Sequence, residues 1–144
     1  MTEEKAQKIL HEFYTEIVPE VVIGHQLREV GRPIVPYVLR EVQKKDMPRR
    51  EHAILSLGII NDRRALPILE QILQDKSESD YIRGDALRAI WHMDKELGRT
   101  LARDYKGESV YIDKIIGLLS EGKMDLGAIF GEEGKINWEA LFGK

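Results

Sequence analysis

The chain has no cysteine among its 144 residues. A disulfide framework and a thiolate metal site are thereby excluded, and the absence suits a cytoplasmic protein. No run of about 18 apolar residues is present, the length that a membrane-spanning helix needs. The opening segment MTEEKAQKILHEFYTEIV has no basic stretch leading into an apolar one, so it does not read as a secretory signal. Charge of one sign is not in large excess either: 22 Lys and Arg against 25 Asp and Glu leave a net charge of −3. There is no overall basic field to hold nucleic acid, and the chain is not acidic enough to favour disorder.

Catalytic signatures are also missing. Ser56, Ser77, Ser79, Ser109 and Ser120 lie in expected helices or polar loops without a nucleophile elbow around them. The glycines from Gly131 to Gly134 lack the lysine-serine ending of a phosphate loop. His11, His25, His52 and His92 never fall three or four residues apart, the spacing at which two imidazoles share a metal on one helix. These features point away from an enzyme and toward no cofactor and no metal.

What the chain does contain is helical periodicity. With 42% hydrophobic and 33% charged residues, it can bury one core and keep a soluble surface, and it is expected to form one domain over residues 1–144. Ala6, Ile9, Leu10, Phe13 and Ile17 recur at steps of three and four, predicting a helix over residues 3–17 with Thr2 as its cap. Further helices are expected over 20–30 (stopped by Gly31), 34–45, 49–60, 65–74, 81–93, 97–105 and 109–120. Pro36 and Pro67 sit in first turns, where a missing N–H is harmless. Asn61-Asp62 reads as a turn, with Asp62 capping the next helix.

Two of these helix pairs are copies of each other. Ile34-Val35-Pro36-Tyr37-Val38-Leu39 matches Ala65-Leu66-Pro67-Ile68-Leu69 at a distance of 31 residues, and Ala53-Ile54-Leu55-Ser56-Leu57 matches Ala86-Leu87-Arg88-Ala89-Ile90. The second copy has gained two residues, placed in the polar loop from Asp75 to Asp80. A paired-helix unit of this size cannot bury its apolar faces alone and needs neighbours. At Leu57 through Leu69 and Tyr81 through Ile90 the chain resembles the HEAT repeat family, in particular the short bacterial form also seen in phycobilisome lyase-like proteins. Asp62 and Arg83 fall on that family's usual aspartate and arginine. The resemblance implies an all-α fold, a short α-solenoid of stacked antiparallel helix pairs, used for binding proteins. It also implies that Arg83 contacts Asp62 or a carbonyl at the turn. The iron-binding branch of the family, the deoxyhypusine hydroxylase type, carries His-Glu pairs where this chain has Glu51-His52 and Gly84-Asp85, so no iron site is carried over.

Three places are candidates for meeting a partner. Arg40, Lys44, Lys45, Arg49, Arg50, Arg63 and Arg64 gather between residues 40 and 64, where seven basic residues face four acidic ones. A nucleic-acid grip of the alkylpurine glycosylase type is one reading of this cluster. Helix-end charge complementing the macrodipole is the favoured one, and Arg49 and Arg50 are kept as contacts. Asp75, Glu78, Asp80 and Asp85 surround the lengthened loop and would steer a basic partner. In the tail, residues 121–144, Ala128-Ile129-Phe130-Gly131 is echoed by Ala140-Leu141-Phe142-Gly143. Phe130, Trp138 and Phe142 there either cap the last helix pair or anchor a partner, with the cap favoured. The expected function is non-catalytic protein binding, most concretely an immunity or antitoxin-type inhibitor of a basic toxin or enzyme. A lyase-like or enzyme-associated role and nucleic-acid binding are the alternatives.

Overall fold

The computed structural model describes residues 1–14, 30–123 and 126. Among these there are seven α-helices: α1 (Glu3–Leu10), α2 (Val35–Val42), α3 (Arg50–Ile60), α4 (Leu66–Gln74), α5 (Asp80–Met93), α6 (Lys95–Tyr105) and α7 (Val110–Ser120). No strand occurs among the described residues.

Local chemistry sets the boundaries. Side-chain oxygens of Thr2, Ser79, Asp94 and Ser109 accept the amides of Lys5, Ile82, Leu97 and Ile112 at 3.0–3.2 Å, fixing the starts of α1, α5, α6 and α7. Asp94 both ends α5 and caps α6, so α6 starts at Lys95 and not at the expected residue 97. α2 and α4 each follow one 3₁₀ turn, Arg32–Ile34 and Arg63–Ala65, and each has proline in its first turn. Asn61 adopts φ 60°, the left-handed conformation of a helix stop that asparagine tolerates.

Two expected helices run differently. The first gives way at Leu10 to a 3₁₀ turn over His11–Tyr14, and Tyr14 Oη donates to the buried Glu41 carboxylate at 2.6 Å, holding that turn against α2. The third ends at Val42, short of residue 45, because the Val42 carbonyl accepts Arg50 Nε at 2.6 Å. The helix expected over 20–30 lies outside the described residues except for Val30.

α2 and α3, and likewise α4 and α5, are antiparallel. Arg50 and Arg83, at the starts of α3 and α5, donate to carbonyls at the ends of α2 and α4. Beyond the other ends, Arg64 donates to the Arg32 carbonyl and Arg63 pairs with Asp94. α5 is the hub: it packs on α3, α4, α6 and α7, and every residue from Arg83 to Ile90 is buried. Ala53, Ile54, Leu57, Leu69, Leu73, Ala86, Leu87, Ala89 and Ile90 form the fully enclosed centre. Each large side chain there contributes roughly 1.5–3 kcal/mol by leaving water. Ile60, Ile82 and Met93 are half-buried against this centre. α3 and α5 approach closely at Gly58, where a Cβ would lie 2.8 Å from Ala89 Cα. Leu126 closes the same spot from the tail side, fully buried.

Candidate functional site

The two charge clusters read from the sequence meet each other. Arg50, 6% exposed, donates Nε to the Val42 carbonyl and pairs through Nη1 with the carboxylate of Glu78, itself buried. Lys45 Nζ reaches Asp75 at 3.1 Å and Glu78 at 3.6 Å and donates to Ser77 Oγ. Asp75 also accepts the Ser77 amide and hydroxyl, which with Lys45 holds its carboxyl down at about 2. The expected basic patch and the expected acidic loop are therefore the two halves of one clamp between repeats. Arg50 and Glu78 are corrected from surface contacts to buried partners.

The rest of the basic cluster is dispersed in the same way. Arg40 pairs with Glu3 at 2.6 Å, Lys44 with Glu41 at 3.1 Å, Arg63 with Asp94 at 3.2 Å and Arg64 with Asp62 at 2.6 Å. Arg49, half-buried, holds a left-handed φ of 54° at the start of α3.

The clamp recurs one repeat later. Arg83, 3% exposed, donates Nε to the Leu73 carbonyl at 2.8 Å, places Nη2 2.7 Å from Glu108 and lies over the Tyr105 ring. In both copies an arginine near the start of one helix closes the end of the preceding helix. It then binds a glutamate that stands just before the corresponding helix of the next repeat. Arg83 meets neither Asp62 nor a carbonyl at that turn: its carbonyl partner, Leu73, is at the far end of α4, and Asp62 is engaged by Arg64 instead. In α7 the corresponding position holds Asp113, which accepts the Gly107 amide at 2.8 Å. Sequence reasoning missed that Arg50 is the counterpart of Arg83. The signal is present, since the two are 33 residues apart, like Ala53 and Ala86.

Asp80 is exposed and accepts the Ser109 hydroxyl at 3.0 Å. Asp85 is buried on α5, 3.8 Å from the buried Arg88, which corrects its reading as a surface charge of the loop. Burial pushes its carboxyl up to about 7; Arg88 opposes the shift and Glu51 adds to it. Phe130, Trp138 and Phe142 lie outside the described residues.

A different surface keeps its charge. Along α6, Lys95, Arg99, Arg103 and Lys106 are exposed and make no ion pair among the described residues. The half-buried Trp91 of α5 stands beside them, its backbone seated on Gly98, where a Cβ would come 2.8 Å from Trp91 Cα. Two open recesses flank the indole. One, of about 330 Å³, is lined by Arg88, His92, Lys95 and Lys123 above Leu119 and Leu126. The other, of about 350 Å³, is lined by Arg99, Arg103 and Lys106 with Ala102 and Ile116. Nothing in the sequence pattern singles out this face. Beginning the helix at residue 97 hides the stripe of Lys95, Arg99 and Arg103.

Among the described residues no group of three or more His, Asp or Glu could hold a metal ion, and no helix is long and apolar enough to cross a membrane. Residues 16–91, just over half of the chain, match the family model of HEAT repeats. No curated protein and no solved structure matched the chain. The chain belongs to the HEAT-repeat family, whose repeats form helical modules of protein interaction.

Proposed function

We propose that this HEAT-repeat chain is a non-catalytic binding module that holds a partner protein on the outer surface of a preformed helical stack. The observation that carries the reading is the recurring arginine clamp, Arg50 to Val42 and Glu78, then Arg83 to Leu73 and Glu108. These side chains would be the strongest candidates for chemistry, and they are used to fix one repeat on the next. A surface ordered before binding keeps more of its contact energy as affinity.

An inhibitor of a basic toxin is the most specific form of this reading. Two carboxylates of its anticipated contact, Asp75 and Glu78, are neutralised by Lys45 and Arg50, which favours another face for such an inhibitor. Phe130, Trp138 and Phe142 remain proposed as cap or anchor. The burial of Leu126 against Gly58 favours a cap. Truncation after Leu126 separates the two, since losing a cap lowers the melting temperature and losing an anchor loses only the partner.

Cross-linking in cells followed by mass spectrometry tests the function. One protein partner recovered in stoichiometric amount, with the complex rebuilt from purified components in a calorimeter, is the expected result. A purified chain that binds no protein yet shifts an oligonucleotide, or carries a chromophore, sinks the reading.

A further inference from the structure

We infer that the Trp91-centred face of α5, α6 and α7 is the docking surface, and that its occupant is an acidic segment of a partner protein bearing bulky apolar side chains. This rests on the protein-binding reading and says where it happens.

The first ground is charge complementarity. The chain as a whole is acidic, at −3, and most of the cations between residues 40 and 64 are paired with carboxylates. Against that background Lys95, Arg99, Arg103 and Lys106 stand exposed in one stripe, four residues apart along most of α6, without a carboxylate partner among the described residues. Lys123, across the first recess, is shared with Glu121 at 3.2 Å.

The second ground is shape. Each recess joins a cationic rim to an apolar floor, Leu119 and Leu126 in one, Ala102 and Ile116 in the other. An apolar anchor surrounded by charges of the partner's opposite sign is the arrangement of an interaction hot spot. Trp91 is shared by both recesses, so one extended segment can place a side chain on either side of the indole. These features favour a peptide over a polyphosphate. Exposed Glu96 and Asp104 also stand on α6 and would repel a continuous phosphate track, whereas a few carboxylates can avoid them.

Fluorescence anisotropy with the full chain tests the proposal. The probe is a labelled glutamate-rich peptide carrying two leucines, and the control is a labelled oligothymidylate of similar charge. Saturable binding of the peptide is expected. It should weaken at least about tenfold in R99E/R103E, with an unchanged melting curve, and weaken as salt is raised. K95E/K106E, which touches one residue of each recess, gives the same answer should the first variant fold poorly. Tighter binding of the oligothymidylate, an affinity indifferent to both charge reversals, or no peptide binding overturns the assignment. If the cellular partner is still captured by R99E/R103E, the protein-binding reading stands and only this surface is rejected.

Discussion

Ahead of α5, Asp75 and Glu78 turn back onto Lys45 and Arg50; along α6, Lys95, Arg99, Arg103 and Lys106 meet no carboxylate among the described residues. Both stretches are dense in charge, and the fold uses them in opposite ways. The first lies where one repeat stacks on the next, so Arg50 and Glu78 are desolvated together and must neutralise each other to be tolerated, with the more exposed Lys45 and Asp75 pairing at their edge. The second lies on a helix whose inward contacts are made by Leu101 and Ala102, so its cations stay in water. Charge density therefore marks a binding surface only once the stacking contacts have been subtracted.

Breaking the clamp should give the largest effect. In Arg83→Ala the Leu73 carbonyl loses its donor and Glu108 its partner, with the face of Tyr105 uncovered. Losing a charged donor to a carbonyl costs about 1.5–3 kcal/mol, and Glu108, part-exposed, can return to water and adds little. For a domain of this size, each kcal/mol lowers the melting temperature by roughly 2–8 °C. Arg83→Lys should recover only part of this, because an ammonium cannot fork between a carbonyl and a carboxylate. Arg50→Ala should cost more, about 3–5 kcal/mol, because Glu78 is buried with it and is left a buried charge without its closest partner. If either alanine variant melts like the parent, the clamp is not what joins the repeats.

Gly58→Ala tests the same junction through its backbone. The added Cβ would meet Ala89 Cα at 2.8 Å and Leu126 Cδ1 at 2.9 Å. Leu126 can rotate, but the α5 backbone cannot yield without moving the hub. Overpacking of this kind costs roughly 1–3 kcal/mol, to be read from urea unfolding. Equal stability would mean that α3 and α5 stand further apart than described.

Asp85 adds a dependence on pH. An unfolded aspartate ionises near 3.8, whereas the folded carboxyl is raised to about 7, chiefly by burial. Between those values the folded chain holds a proton that the unfolded chain has released. Stability should therefore fall as pH rises from about 4 through about 7 and then level off. Asp85→Asn should flatten that part of the curve. It adds a constant offset, since Arg88 keeps a neutral neighbour at every pH. An identical slope in parent and variant would show that the carboxyl is ionised throughout.

Much of the stack was legible in the sequence because packing imposes a period. The proline-marked starts of α2 and α4, the alanines Ala53 and Ala86, and the two residues gained before α5 all obey that period. Side-chain pairing has no period of its own. Arg50 reads as part of a patch because it neighbours Arg49 and Lys45 in the chain, whereas its partner Glu78 stands 28 residues away. Asp85 reads as part of the loop by proximity, although it is one helical turn into α5, on the hub that is buried all round. Trp91 escapes notice because an indole near a helix end reads as core until the helix beside it is seen to carry an unpaired stripe.

The smallest expected effect on stability is the one that sharpens the comparison most. Arg99 and Arg103 are exposed and touch no carboxylate among the described residues, so R99E/R103E exchanges two solvated charges for two others. Surface changes of this kind shift stability by no more than about 0.5 kcal/mol per site. The introduced carboxylates also stand within one helical turn of Lys95 and Lys106, where pairing offsets part of any loss. Thermal melts of parent and variant should nearly superimpose, in contrast to Arg83→Ala, although both variants remove arginine from neighbouring elements. A large drop in the melting temperature would mean that the α6 cations are structural like those at the clamp, and would remove the distinction on which a free cationic face depends.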